Sequence, residues 1–194
     1  MIRNLLLLVV LLSGFSFTGC RKGPEDPLIS FATRKARLSK EWKAYSYKIN
    51  GEEKLRSTIT TKQFQGECDT QTVVRFDSLE IIMDFRKSGE FFSNRYHYYT
   101  EKSATAANPS PFCALLNYYK TDEETERQSG YWNFTGGVGD ISNREQVFIY
   151  QEESAVGILW DIVRLAGSEL KIKRRYIPEG QSEFTTEEIY FYPN

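Results

Sequence analysis

The chain has 194 residues, with 25 basic and 26 acidic side chains, one histidine and three cysteines. A balance this close to zero leaves no electrostatic footprint for nucleic acid, a single histidine excludes paired-histidine metal sites, and cysteine usage is too thin to define a disulfide framework. With 13 Phe, 12 Tyr and 3 Trp there is bulk for the core of one domain.

Arg3, the apolar residues 5–12 and the small residues Thr18 and Gly19 read as an export signal. The apolar run is shorter than the ~20 residues that a membrane-spanning helix needs. Phe17-Thr18-Gly19-Cys20 resembles the lipobox of a bacterial lipoprotein signal peptide. That resemblance implies that residues 1–19 are removed and that Cys20 becomes the lipidated first residue. At about 0.8 kcal/mol per buried methylene, three fatty chains make the attachment effectively permanent. Removing residues 1–19 takes away Arg3 and no acid, which leaves 24 basic against 26 acidic side chains, a net charge of −2. Residues 21–27 carry charge, Gly23 and two prolines without apolar periodicity, so they are expected to be a flexible tether, and residues 20–27 become tether plus the lipidated Cys20 that the resemblance implies. Arg21 follows Cys20 where inner-membrane retention is associated with Asp. By analogy the protein sits on the outer membrane, with the periplasmic and cell-surface faces both open.

Residues 28–194 then form the domain. Asp26 offers an N-cap and Pro27 a first helical position, and Leu28, Phe31, Ala32 and Leu38 share a face, which predicts a short helix ending before Trp42. From there the period becomes two. Residues 42–49 alternate, Asn50-Gly51 is a hairpin signal, and residues 55–64 are expected as the partner strand. Residues 65–77 read as loop with a strand fragment. Leu79, Ile81, Met83 and Phe85 alternate with charged residues as a half-buried strand, and Lys87-Ser88-Gly89 turns the chain into a strand over 90–100. After a Pro-containing loop, residues 112–121 and 126–134 are expected to form a hairpin around Asp122-Glu123-Glu124. Gly136-Gly137-Val138-Gly139 is a break; it lacks the Gly-Lys-Ser/Thr ending of a phosphate loop. Strands follow over 146–151, 158–165, 170–177 and 183–192, with turns at Ala166-Gly167-Ser168 and Pro178-Glu179-Gly180. No long amphipathic helix separates these strands, which excludes a parallel sheet; the expected fold is mainly β, an antiparallel up-and-down barrel with a short N-terminal helix, with a two-sheet sandwich as the alternative.

The lipobox, the charged tether, the basic helix and Leu38-Ser39-Lys40-Glu41-Trp42 at the head of a chain of hairpins resemble lipocalin-like lipoproteins of Gram-negative bacteria. In lipocalins a Gly-x-Trp opens the first strand. Here Lys40 stands at the Gly position and Trp42 matches. Trp160-Asp161-Ile162-Val163-Arg164-Leu165 with Glu169-Leu170-Lys171-Ile172 looks like the penultimate hairpin of such lipoproteins. The resemblance also implies a cation–π stack of Arg174 or Arg175 on Trp42.

Residue chemistry narrows the function less. Adjacent acids such as Glu123-Glu124 point to opposite strand faces and make no catalytic pair by themselves, and His97 sits among tyrosines in a strand. With neither a nucleophile motif nor a metal-ligand cluster in the sequence, no enzyme, cofactor or metal is expected. Cys68 and Cys113 read either as a disulfide or as two separate buried thiols. Trp42, Phe91, Tyr96, Tyr98, Tyr118, Trp132 and Trp160 are the candidates to line a site for a small apolar or amphipathic ligand in the barrel mouth. The other reading is a structural subunit docking on an outer-membrane or other envelope protein.

Overall fold

The computed structural model describes residues 33–65, 68–105, 118–136 and 145–194, without the side chains of 63–65, 68–71, 104–105 and 136. The export signal, Cys20, the tether, Asp26-Pro27, Cys113 and the side chain of Cys68 lie outside the described residues.

Thr33 is extended (φ −62°, ψ 154°), and its Oγ1 accepts from the Ala36 N–H at 3.1 Å, capping a one-turn helix α1 at Arg34–Leu38. The described helix therefore begins afresh at Arg34 and does not continue through Thr33 from Pro27. Ten strand segments follow: β1 (Glu41–Ile49), β2 (Glu52–Glu53), β3 (Arg56–Gln65), β4 (Cys68–Phe85), β5 (Glu90–Thr105), β6 (Tyr118–Gly136), β7 (Glu145–Gln151), β8 (Val156–Leu165), β9 (Leu170–Tyr176) and β10 (Thr185–Pro193). β4 to β10 pair in sequence, β10 pairs with β1, and β1 returns to β4 through Glu41↔Asp84, Trp42↔Met83 and Lys43↔Ile82. The result is a closed eight-stranded antiparallel up-and-down barrel of lipocalin-like type, with one short helix among the described residues.

Inward positions alternate with outward ones, as the period of two requires. One end of the barrel is filled by Trp42, Phe85, Phe91, Trp132, Leu165, Leu170 and Phe191, and α1 covers it with Leu38. Phe85 lies 5.1 Å from Phe91 and 5.7 Å edge-on from Trp132. The buried indoles also satisfy backbone carbonyls. Trp42 Nε1–H donates to Leu38 O at the helix end, and Trp132 Nε1–H donates to Arg86 O, both at 2.9 Å. Arg37 and Lys40 donate to Leu165 O and Gly167 O at 2.6 and 2.7 Å, and Arg34 pairs with Glu145, so the covering helix is tied to the barrel rim at three points.

Three expectations are corrected here. Asn50 and Gly51 both have positive φ (52° and 85°), as a tight hairpin turn demands, but the partner they deliver to β1 is only β2; β3 pairs with β4 instead. The switch is held by Glu53, whose carboxylate accepts from Ser46 Oγ (2.6 Å) and from the N–H groups of Tyr47, Lys54 and Leu55 (3.0 to 3.2 Å). Most of residues 65–77 are not loop, since β4 runs unbroken from Cys68 with β3 on one side and β5 on the other. Nor is there a hairpin at Asp122-Glu123-Glu124. These acids lie within the single strand β6, opposite Tyr99, Tyr98 and His97 of β5. A charged cluster read as a turn because it broke the apolar rhythm; the ladder tolerates it because this part of β6 has no apolar core to face.

That last point defines the shape of the molecule. β7 pairs with β6 only from Gly130 onward and β1 with β4 only over residues 82–84, so the remaining lengths of β4, β5 and β6, with β3, project beyond the barrel as a four-stranded sheet. Gly130 marks the departure point. A Cβ there would stand 1.8 Å from Tyr150 O, so only glycine lets β7 approach β6 at this position.

Candidate functional site

The seven aromatic candidates do not share one cavity. Trp42, Phe91, Trp132 and Trp160 are buried core residues of the barrel interior. Tyr96 and Tyr98 sit at the outward positions of β5, the alternate set to buried Phe91 and Ser93; Tyr98 is exposed. Tyr118 is exposed at the start of β6 and its hydroxyl donates to Glu101. Tyr98 borders a cleft of about 410 Å³ on the outer sheet face with Phe76 and Thr100, and none of the other six lines the clefts described below. The expected Arg stack on Trp42 is also redistributed. Lys40 lies 5.2 Å from the Trp42 ring, while Arg174 stands over Trp160 (4.8 Å) and Tyr176 (4.4 Å), and Arg175 over Phe184 (4.0 Å). Arg174 occupies an inward register position opposite Glu187, several rungs from Trp42, which is why the family-like stack cannot form with it.

Above the apolar layers the barrel interior turns polar. Glu187 is 1% exposed and is bound by the Arg174 guanidinium and by the Tyr47 hydroxyl at 2.8 Å. Burial, followed by the neighbouring Glu187 charge, pushes the Tyr47 phenol well above its ordinary range, so it stays a donor. A carboxylate so placed is stable only while its partners remain.

Beyond this layer lies the mouth, a cleft of about 520 Å³ lined by Lys54, Ser57, Asp77, Leu79, Arg95, His97, Glu124, Thr125 and Glu126. Its walls are the inward faces of β4, β5 and β6, the same faces that carry the core further down, together with Ser57 of β3 and Lys54 just before that strand. Asp77 Oδ1 accepts from Arg75 Nε at 2.8 Å and lies 3.0 Å from His97 Nε2. The Arg75 guanidinium covers the Tyr99 ring at 4.1 Å, and Tyr99 donates to Asp122 at 2.9 Å. This bond, with the Glu123 N–H and Lys120, holds the Asp122 carboxyl below its usual range. Arg95 is the exception in this network. Its Nε is buried and has no hydrogen-bond partner, and Glu126 directly across from it accepts instead from Gln128.

Ser57, His97 and Asp77 share the cleft, yet they do not compose a nucleophilic triad. His97 spends Nε2 on Asp77, and no hydrogen bond joins Ser57 to the ring among the described residues. Nor do three His, Cys, Asp or Glu side chains gather at metal-ligating distance among the described residues. A third cleft, of about 510 Å³, opens where β1 parts from β4, bridged by the Lys43–Glu80 ion pair at 3.0 Å.

Arg95, Lys54, Ser57, Asp77, Glu124 and Glu126 were not foreseen as a group, and His97 was placed only among the tyrosines of its strand. A usable signal was present in β5 and β6. Arg95, His97 and Glu101 and then Lys120, Asp122, Glu124 and Glu126 keep a period of two with polar residues on the face that is apolar lower down. Such a run marks strands that have left the core. Comparison with family models, with curated proteins and with solved structures finds no match.

Proposed function

We propose that this chain is a non-enzymatic envelope lipoprotein, held to the outer membrane by lipid on Cys20, whose barrel mouth binds a small amphipathic ligand with an anionic end. The observation that carries this reading is the buried Arg95 Nε, a donor without an acceptor in the wall of a cleft large enough for a small molecule. Leaving such a donor unpaired costs about 1–3 kcal/mol, and an incoming carboxylate or phosphate removes that cost. Ser57 on β3 and Lys54 in the segment just before it offer further donors, and Leu79 with Ile59 on the same sheet face gives an apolar stem something to lie against. Aromatic and aliphatic side chains occupy the deeper interior, so the ligand is held at the mouth and not in a deep calyx.

Native mass spectrometry of the lipidated protein, purified gently in detergent, tests the binding half of the reading. A small-molecule adduct is expected on the wild type and absent from Arg95→Met. A bare wild type, or equal adduct on both, overturns it. Fatty-acid labelling tests the anchor, with label expected on the wild type and lost in Cys20→Ala.

A further inference from the structure

The projecting sheet ends in an edge whose chemistry is specific. Beyond Gly130 no described strand pairs with β6 on the side away from β5, and every residue from 118 to 127 is exposed, Tyr119 at 69%. Two hydrogen bonds set the direction of the backbone groups along this edge. The Trp132 N–H donates to Gly89 O on the β5 side at 2.7 Å, and Ser129 O accepts from the Glu152 N–H on the β7 side at 3.0 Å. N–H and C=O of one strand residue point the same way and alternate along the chain, and the β5–β6 register runs without a shift. The odd-numbered residues 119, 121, 123, 125 and 127 therefore turn their N–H and C=O groups away from β5, toward solvent. The even-numbered Asp122, Glu124 and Glu126 place three carboxylates in a row on the inward sheet face, with Glu123 on the other.

We propose that this edge of β6 is a strand-addition site for an extended peptide segment of another protein that carries a basic residue at every second position. Backbone pairing with the five odd-numbered residues aligns the segment, and its Lys or Arg side chains fall opposite Asp122, Glu124 and Glu126. A second copy of this chain is disfavoured as the occupant. Antiparallel pairing of β6 with its own copy around Glu123 sets Glu123 against Glu123 and Asp122 against Glu124, and like charges directly opposite repel.

The test uses the full lipidated chain in detergent and a fluorescent peptide of alternating Lys and Val, with an alternating Glu and Val peptide as the contrast. Saturable binding of the Lys peptide alone is expected, weakening as salt rises. Thr125→Pro deletes an edge-facing N–H and leaves the β5–β6 ladder intact, so it is expected to fold and to bind about tenfold more weakly, the share of one or two backbone hydrogen bonds. Methylating alternate backbone nitrogens of the peptide makes the same test without altering the protein. Either no binding of the Lys peptide at low salt, or affinity indifferent to both Thr125→Pro and peptide N-methylation, overturns the proposal. So does a stable dimer in sedimentation whose residues 119–127 are protected from hydrogen exchange.

Discussion

β4, β5 and β6 each pass through two different environments, and the contrast between them explains most of this molecule. Inside the barrel their inward positions are Ile81, Met83, Phe85, Phe91 and Trp132, closed off by five further strands and α1. In the projecting sheet the same faces carry Arg75, Asp77, His97, Tyr99, Glu101, Lys120 and Asp122, tied by ion pairs, the His97–Asp77 hydrogen bond and cation–π contacts that water can reach. The ladder of backbone hydrogen bonds is continuous through both. What changes is whether a second layer covers the face, and side-chain chemistry follows that change within two rungs, from Ile81 to Leu79 and Asp77. Continuous pairing gives the projection its order, and around Asp77, His97 and Asp122 no second layer among the described residues covers the face, which leaves these groups available for binding.

The sharpest way to break the contrast is inside the barrel. Arg174→Ala strips the buried Glu187 of its guanidinium and is expected to cost about 3–5 kcal/mol in urea denaturation. A loss under about 1 kcal/mol would mean that the polar layer is hydrated and that the barrel is not sealed at this level. Next comes the junction. Gly130→Ala forces β6 and β7 apart at Tyr150 and is expected to destabilise by about 1–3 kcal/mol, the usual range for overpacking.

The corner where β1 leaves β4 titrates. Burial pushes the Glu53 carboxyl up, but hydrogen bonds from Ser46 and from the N–H groups of Tyr47, Leu55 and Lys54 outweigh it and hold the group below its ordinary value of 4.5. Glu188 is lowered likewise, chiefly by its hydrogen bond from Lys173. A depressed folded pKa means stability that is present above about pH 4.5 and lost as pH falls through the folded value. The melting temperature should therefore drop below that pH, and Glu53→Gln should flatten the drop; an unchanged acid limb would remove Glu53 from the account. The smallest effect belongs to the projection. Ile59, 52% exposed, lies on a strand outside the closed barrel, and Ile59→Ser should move stability by no more than about 0.5 kcal/mol. A larger loss in chemical denaturation would show that the sheet buries more than its exposure suggests.

Local chemistry was legible in the chain. A period of two identified β1, the end of β4, and β7 to β10, because inward and outward faces alternate wherever one of them is covered. Asn50-Gly51, Lys87-Ser88-Gly89, Ala166-Gly167-Ser168 and Pro178-Glu179-Gly180 announced turns through backbone preferences that span a few residues. The absence of crossover helices left an antiparallel barrel as the expected closure. Pairing between distant segments decided the rest. No local rule says that β3 pairs with β4 and not β1, that Asp122-Glu123-Glu124 lies in mid-strand, or that Arg174 stacks on Trp160 instead of Trp42. Those outcomes depend on register, on the shifts at Ala44/Ser46 and Ile162/Arg164, and on where β7 and β1 stop. The mouth site is the extreme case. Ser57, Asp77, Arg95 and Glu124 come from four strands and meet only because the sheet brings their rungs level, so tertiary pairing alone could place them together.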